Sequence, residues 1–253
     1  MCITAKEPNM YDLMRKLPIG IQTFEDIRRK NYLYVDKTAL VWRMANMGKP
    51  YFLSRPRRFG KSLLLSTFES YFLGKKELFE GLAIEKMETE WKEYPVLHID
   101  LNAEKYDKPE KLNEILSNHL TQWELKYGKG IDERTLSSRF GGVIRRACEQ
   151  TGQQVVVLVD EYDKPILQAI GDDVLQKSFR NTLKAFYGAL KSQDGCIKFA
   201  LLTGVTKFGK VSVFSDLNNL NDISMWNKYI GICGVSGQEL YDNLDAELHE
   251  FAN

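Results

Sequence analysis

Apolar residues follow two alternating patterns along this chain, short uninterrupted runs and longer stretches with helical spacing. The uninterrupted runs fit buried strands and lie at about 51–54, 96–101, 155–159 and 197–202. Stretches with helical spacing lie between and around them, most clearly at 109–126, 136–150 and 174–191. This alternation predicts an α/β fold in which a mainly parallel β-sheet is flanked by helices.

The same pattern divides the chain into three segments. Residues 1–17 have weak patterning, so we expect a weakly ordered N-terminal segment. Residues 18–235 contain all four strand runs and form the predicted α/β domain. Residues 236–253 begin a C-terminal helical region, because Ser236 and Glu239 have the spacing of a capping box.

Composition excludes several classes of protein. The 253 residues carry a formal net charge of +1, which gives no global attraction to nucleic acid or to a membrane surface. The four cysteines and three histidines are widely spaced, which argues against a zinc site and for a reducing compartment. Residues 1–20 lack the apolar core of a signal peptide, and no apolar run is long enough for a membrane span. We therefore expect a cytoplasmic protein without a membrane partner.

The segment between the first strand run and the following helix carries the clearest chemical signal. Gly60, Lys61 and Ser62 match the end of the phosphate-binding pattern G-x-x-x-x-G-K-[ST], whereas Arg55 replaces its first glycine. A loop of this kind turns backbone N–H groups and a helix N-terminus toward an anion. A basic loop that caps an ordinary helix is the alternative. The predicted nucleotide-binding residues are Arg55, Pro56, Arg57, Arg58, Phe59, Gly60, Lys61, Ser62 and Leu63.

A second signal follows the strand run at 155–159, where Asp160 and Glu161 end the run in the Walker B arrangement. In this arrangement the aspartate and Ser62 would hold Mg²⁺, and Glu161 would polarise the attacking water. Thr203 ends the last strand run and is our candidate for sensing the γ-phosphate or positioning water, although an ordinary Thr-Gly turn explains it equally well. Because the exits of parallel strands share one sheet edge, these residues should converge there.

Five separated motifs resemble the bacterial AAA-ATPase-like domain family, which is related to archaeal-type STAND ATPases. The motifs lie at 17–25, 34–38, 55–63, 159–165 and 217–223, and the segment 232–234 follows them. The resemblance implies a P-loop NTPase of the additional-strand, catalytic-glutamate type over residues 18–235. It assigns Lys61 to the phosphates of ATP, Ser62 and Asp160 to Mg²⁺, and Glu161 to water. Members commonly continue into a domain similar to PD-(D/E)XK nucleases, which we do not expect within these residues.

The sequence thus predicts a module that binds ATP with Mg²⁺ and hydrolyses it as a switch or motor for an associated effector. A degenerate nucleotide-binding or scaffold module, in which Arg55 blocks the turn, is the main alternative, and a nucleoside kinase is a third. Arg57 and Arg58 leave three roles open: contact with phosphates, action on a neighbouring subunit in a homo-oligomer, and contact with nucleic acid. For Asp163 we expect a surface ion pair or a partner contact.

Overall fold

The computed structural model describes residues 16–48, 50–102, 104–206, 213 and 220–251, with side chains as far as residue 244. These residues contain five strands, Tyr51–Ser54 (β1), Val96–Asp100 (β2), Val155–Asp160 (β3), Ile197–Gly204 (β4) and Asn221–Asp222 (β5). The five strands form one parallel sheet in the order β2-β3-β4-β1-β5. The predicted α/β class with a parallel sheet is therefore confirmed.

The insertion of β4 between β1 and β3 agrees with the additional-strand arrangement expected from the resemblance. Pairing aligns Ser54 with Gly204, and it aligns Asp100 with Asp160. The exits of four strands therefore lie side by side at one edge of the sheet, as ligand sites of parallel sheets require.

Helices cover both faces of the sheet because successive side chains of a strand point in opposite directions. Val155, Val157 and Val159 of β3 pack into one core cluster, whereas Val156 and Leu158 pack into a second one. The α-helices are Phe24–Arg29 (α1), Thr38–Ala45 (α2), Lys61–Phe72 (α3), Pro109–Tyr127 (α4), Leu136–Thr151 (α5), Lys164–Gln168 (α6), Asp173–Ser192 (α7) and Gly237–Phe251 (α8). The first cluster contains side chains of α4, α5 and α7, and the second contains those of α1, α2 and α3.

The structure differs from the sequence-based expectation at β5, which the hydrophobic pattern does not predict. This strand contains only two residues, Asn221 and Asp222, and both are polar. It pairs with β1 at the edge of the sheet, where backbone hydrogen bonds form without an apolar run. Most of the predicted N-terminal segment 1–17 and the motif residue Leu217 lie outside the described residues.

The capping box predicted at the start of α8 is present. The backbone N–H of Glu239 donates to Ser236 Oγ at 3.2 Å, and the Glu239 carboxylate accepts from the backbone N–H of Ser236 at 2.8 Å. None of the helices in the described part of the chain is both long enough and apolar enough to cross a membrane.

Candidate active site

The loop between β1 and α3 wraps around the side chain of Lys61. Gly60 caps α3 with φ +83°, a left-handed conformation that glycine adopts without strain. The buried ammonium of Lys61 donates to the backbone carbonyls of Arg55 at 3.1 Å and Pro56 at 3.2 Å. The lysine therefore lies inside the loop, close to any anion that the loop amides bind.

Arg55, which replaces the first glycine of the pattern, has a structural explanation. Its φ does not lie in the left-handed region, so a side chain at this position causes no backbone strain. Its guanidinium Nη1 donates to the carbonyls of Ser224 at 2.6 Å and Ser54 at 3.0 Å. Ser224 follows β5, and its hydroxyl also accepts from the backbone N–H of Ser54 at 2.9 Å. Arg55 thus ties the start of the loop to the exit of β5.

The carboxylate of Asp160 is held between two hydroxyl groups. Ser62 Oγ lies 2.5 Å from Asp160 Oδ2, and Thr203 Oγ1 lies 2.8 Å from Asp160 Oδ1. Asp160 is 6% exposed and Thr203 is completely buried. The predicted metal ligands Ser62 and Asp160 are therefore brought together, whereas Thr203 contacts Asp160 from within the sheet.

Hard oxygen donors such as these fit Mg²⁺, which commonly takes one or two protein ligands together with phosphate oxygens and water. No group of three or more His, Cys, Asp or Glu side chains that could hold a metal occurs in the described ranges. Ser62 Oγ and Asp160 Oδ2, which lie 2.5 Å apart, are two such oxygen donors.

Glu161 follows Asp160 and has φ +55°, an uncommon conformation for a residue with a side chain. Its side chain is 16% exposed, and its Oε1 lies 3.8 Å from Lys61 Nζ. Burial raises the pKa of the Glu161 carboxyl, and the neighbouring Lys61 ammonium opposes that rise. A carboxyl with a raised pKa and a nearby cation has the character of a general base.

Two cavities meet at the loop. One cavity, of about 550 Å³, is lined by the end of the phosphate-binding loop and by Glu161, and it continues to residues 18–22. Its chemical lining comprises Arg58, Lys61, Ser62, Asn102 and Glu161. The other, of about 480 Å³, is predominantly apolar and is walled by residues before α2, by α3 and by the segment that leads into α8. Arg58, Phe59, Gly60 and Leu63 line both cavities.

The remaining predicted loop residues are placed at the surface. Pro56, Arg57 and Arg58 are exposed, and Arg58 has φ +61°. Phe59 is 41% exposed and lies over Gly234, so closely that a Cβ atom on Gly234 would come within 2.6 Å of its ring. In the sequence, only the family resemblance indicates the segment 232–234. Gly234 has φ +77°, and nothing in the neighbouring sequence except the glycine itself predicts that conformation.

Asp163 also differs from its expected surface position. It is 1% exposed, and its carboxylate accepts from the backbone N–H groups of Val205 and Thr206. A buried carboxylate that accepts several hydrogen bonds is a structural link, which corrects the expectation of an ion pair or a partner contact.

Comparison with known proteins agrees with this geometry. A family model described as "Predicted AAA-ATPase" matches residues 18–214. The chain belongs to the AAA-ATPase-like family. It is also similar to a protein from Azotobacter chroococcum mcd 1 named "Uncharacterized protein in vnfD 5'region", with 43% identity over 223 residues. That alignment covers 88% of this chain and 43% of the relative, so the chain spans less than half of the relative's length. No solved structure matches the chain.

Proposed function

We propose that this member of the AAA-ATPase-like family binds ATP with Mg²⁺ and hydrolyses it. The observation that carries the proposal is that Lys61, Ser62 and Glu161 line one cavity of about 550 Å³ and that Asp160 contacts Ser62 beside it. Lys61 lies 3.8 Å from Glu161, and Ser62 lies 2.5 Å from Asp160, although about 100 residues separate the two members of each pair in sequence. This combination of cation, metal ligands and general base suits phosphoryl transfer to water.

Each side chain has a separate role in the proposal. The Lys61 ammonium exchanges its loop carbonyl partners for the β- and γ-phosphates as they bind. Ser62 and Asp160 would hold Mg²⁺, which would neutralise charge on the phosphate oxygens. Glu161 accepts a proton from the attacking water. Thr203 acts through Asp160, because its buried hydroxyl contacts that carboxylate rather than the cavity.

The apolar cavity of about 480 Å³ suits the nucleotide base. It adjoins Gly60, so a base bound there remains connected to phosphates in the loop. Tyr34 and Val35 line one side, and Ile232 and Val235 line another. Largely apolar walls favour a flat aromatic ring over a charged group.

The alternative is a degenerate module that binds nucleotide, nucleic acid or protein without turnover. In the sequence, Arg55 in place of the first loop glycine favours this alternative. Arg55 has no positive φ, and its guanidinium points to Ser224 rather than into the loop. The exposed Arg57 and Arg58 leave room for contact with nucleic acid, an effector or a second copy of the chain.

Nucleotide binding and phosphate release should be measured for the wild type, Lys61→Ala and Glu161→Gln. We expect Lys61→Ala to weaken binding, whereas Glu161→Gln should retain binding and slow hydrolysis by about 100-fold or more. Lys111→Ala serves as a control, because Lys111 forms an exposed ion pair with Glu114 on α4. Wild-type protein that does not hydrolyse ATP would refute the proposal. Hydrolysis that survives both substitutions would refute the assigned roles.

A further inference from the structure

The turn after β3 contains a set of contacts that the proposed catalytic roles do not use. Asp163 Oδ2 accepts from the backbone N–H of Val205 at 3.0 Å and from the backbone N–H of Thr206 at 2.7 Å. It also accepts from Thr206 Oγ1 at 3.0 Å. These contacts join the turn that carries Glu161 to the segment that follows β4.

Tyr162 adds two further contacts between the same two segments. Its backbone N–H donates to the carbonyl of Thr203 at 3.0 Å, and its hydroxyl donates to the carbonyl of Thr206 at 3.1 Å. Gly204 permits this approach, since a Cβ atom there would lie 2.5 Å from the Tyr162 ring and 2.8 Å from Asp163 Oδ1. The side chains of Tyr162 and Asp163 therefore pack directly against the backbone at the exit of β4.

Lys164 connects the other side of the turn to the segment that follows β2. Its ammonium donates to Asn102 Oδ1 at 2.9 Å and to the Asn102 backbone carbonyl. Asn102 follows β2 and lines the same cavity as Glu161. The turn is thus held to the exits of both strands that neighbour β3.

Glu161 lies at the start of this fastened turn with φ +55°. A residue with a side chain keeps such a conformation only where surrounding contacts enforce it. The carboxylate of Asp163 supplies the largest number of these contacts, and it is buried and absent from the lining of the cavity.

We propose that Asp163 is a positioning residue that holds the Glu161 carboxylate in the place where it can accept a proton from water. The inference rests on the proposed ATP hydrolysis. Asp163 does not contact the nucleotide and acts through the turn. A small displacement of a general base slows the chemical step strongly, whereas the loop residues that bind phosphates stay in place.

Asp163→Asn tests the proposal, because the N–H of Val205 also lies 3.2 Å from Asp163 Oδ1, and an amide keeps the shape of the side chain but cannot accept at both oxygen positions. We expect kcat to fall about 10- to 100-fold while KM and the affinity for a fluorescent ATP analogue change less than about threefold. Equal losses of kcat and affinity, or an unchanged kcat, would overturn the proposal.

Two further variants separate positioning from general stability. Glu133→Gln is the matched control. Glu133 lies in the connection before α5, where its carboxylate accepts from the backbone N–H of Gly130 and from the guanidinium of Arg146, and it lines neither site cavity. It should lower the melting temperature and leave kcat unchanged. In a Glu161→Gln background, Asp163→Asn should cause no further loss of rate, because the group that it positions is already gone. An additive loss there would contradict a role through Glu161.

Thr206→Val covers the case in which Asp163→Asn fails to fold, since it removes only the hydroxyl contact and leaves both N–H contacts. A reduced kcat with unchanged affinity supports the inference, and an unchanged kcat overturns it. A wild type that shows no hydrolysis overturns the proposed function itself, together with this inference. An active wild type with a fully active Asp163→Asn variant overturns only the role of Asp163.

Discussion

The contact between Gly234 and Phe59 predicts that a single methyl group will disturb the phosphate-binding loop. Gly234 has φ +77°, and a Cβ atom there would lie 2.6 Å from Phe59 Cε1 and 3.0 Å from Cζ. An ordinary carbon–carbon contact is about 3.5–4 Å, so in Gly234→Ala the ring must move by about 1 Å. Phe59 is 41% exposed and can move outward, but it precedes Gly60 and carries the loop backbone with it.

Two separate effects follow from this substitution. The left-handed backbone costs alanine about 1–2 kcal/mol of folding stability. The displaced loop should in addition lower nucleotide affinity about tenfold, which corresponds to about 1.4 kcal/mol. Gly81 provides a matched control, because its φ is +76° and no atom lies within 4 Å of the position of its Cβ. Gly81→Ala should therefore lose similar stability and retain affinity.

Affinity can be measured by titration with a fluorescent ATP analogue, and stability can be measured by denaturant unfolding. Phe59→Ala removes the ring that the new methyl group meets, so Gly234→Ala in that background should cause little further loss of affinity. The reasoning is refuted if Gly234→Ala binds nucleotide as well as Gly81→Ala does. It is also refuted if the loss of affinity persists in the Phe59→Ala background.

Two other contacts give predictions of stability. Thr203→Val removes the buried donor to Asp160, so it should lower the free energy of unfolding by about 1–3 kcal/mol and weaken the Mg²⁺ dependence of nucleotide binding. Thr203→Ser keeps the hydroxyl and should retain the wild-type stability and Mg²⁺ dependence. Equal behaviour of the two variants would contradict the role of the hydroxyl. Glu239→Gln should cost about 1 kcal/mol at pH 7, because the half-buried carboxylate pairs with Lys37. Burial opposes the ionised form of Glu239, but hydrogen bonds from Lys37 and Ser236 outweigh it and lower its pKa, so this stability is present above the unfolded value near 4.5 and is lost as the pH falls through the folded pKa. Melting curves of wild type and variant should therefore converge below about pH 4.5, and a constant difference would argue against the ion pair.

Arg55, at the first position of the loop, is held by a contact with a distant segment of the chain. Arg55 donates to the carbonyl of Ser224, 169 residues away in sequence, and thereby fixes the start of the loop to the exit of β5. Glycine at this position would lack that contact. The departure from the usual pattern is thus compatible with an intact loop, provided that β5 is present.

Much of the fold follows from the sequence because its signals are local. The run Val155–Val159 is uniformly apolar, and it forms a strand whose residues are all buried. Gly60 caps α3, and Lys61 and Ser62 are the first two residues of that helix, as the phosphate-loop pattern predicts. The capping box at Ser236 and Glu239 is a spacing of three residues, and it forms as expected.

Tertiary structure alone decided the features that join distant segments. β5 consists of two polar residues, and it forms a strand through its backbone pairing with β1. The sequence predicts a surface ion pair or a partner contact for Asp163, whereas its side chain is 1% exposed and accepts from the backbone N–H groups of Val205 and Thr206. The sequence by itself determined four of the five strands, the main helices and the chemical groups at the strand exits, because periodicity and motifs depend on neighbouring residues. Which groups meet was decided by the order of the strands, because hydrogen bonds and steric contacts act through space and leave no period in the chain.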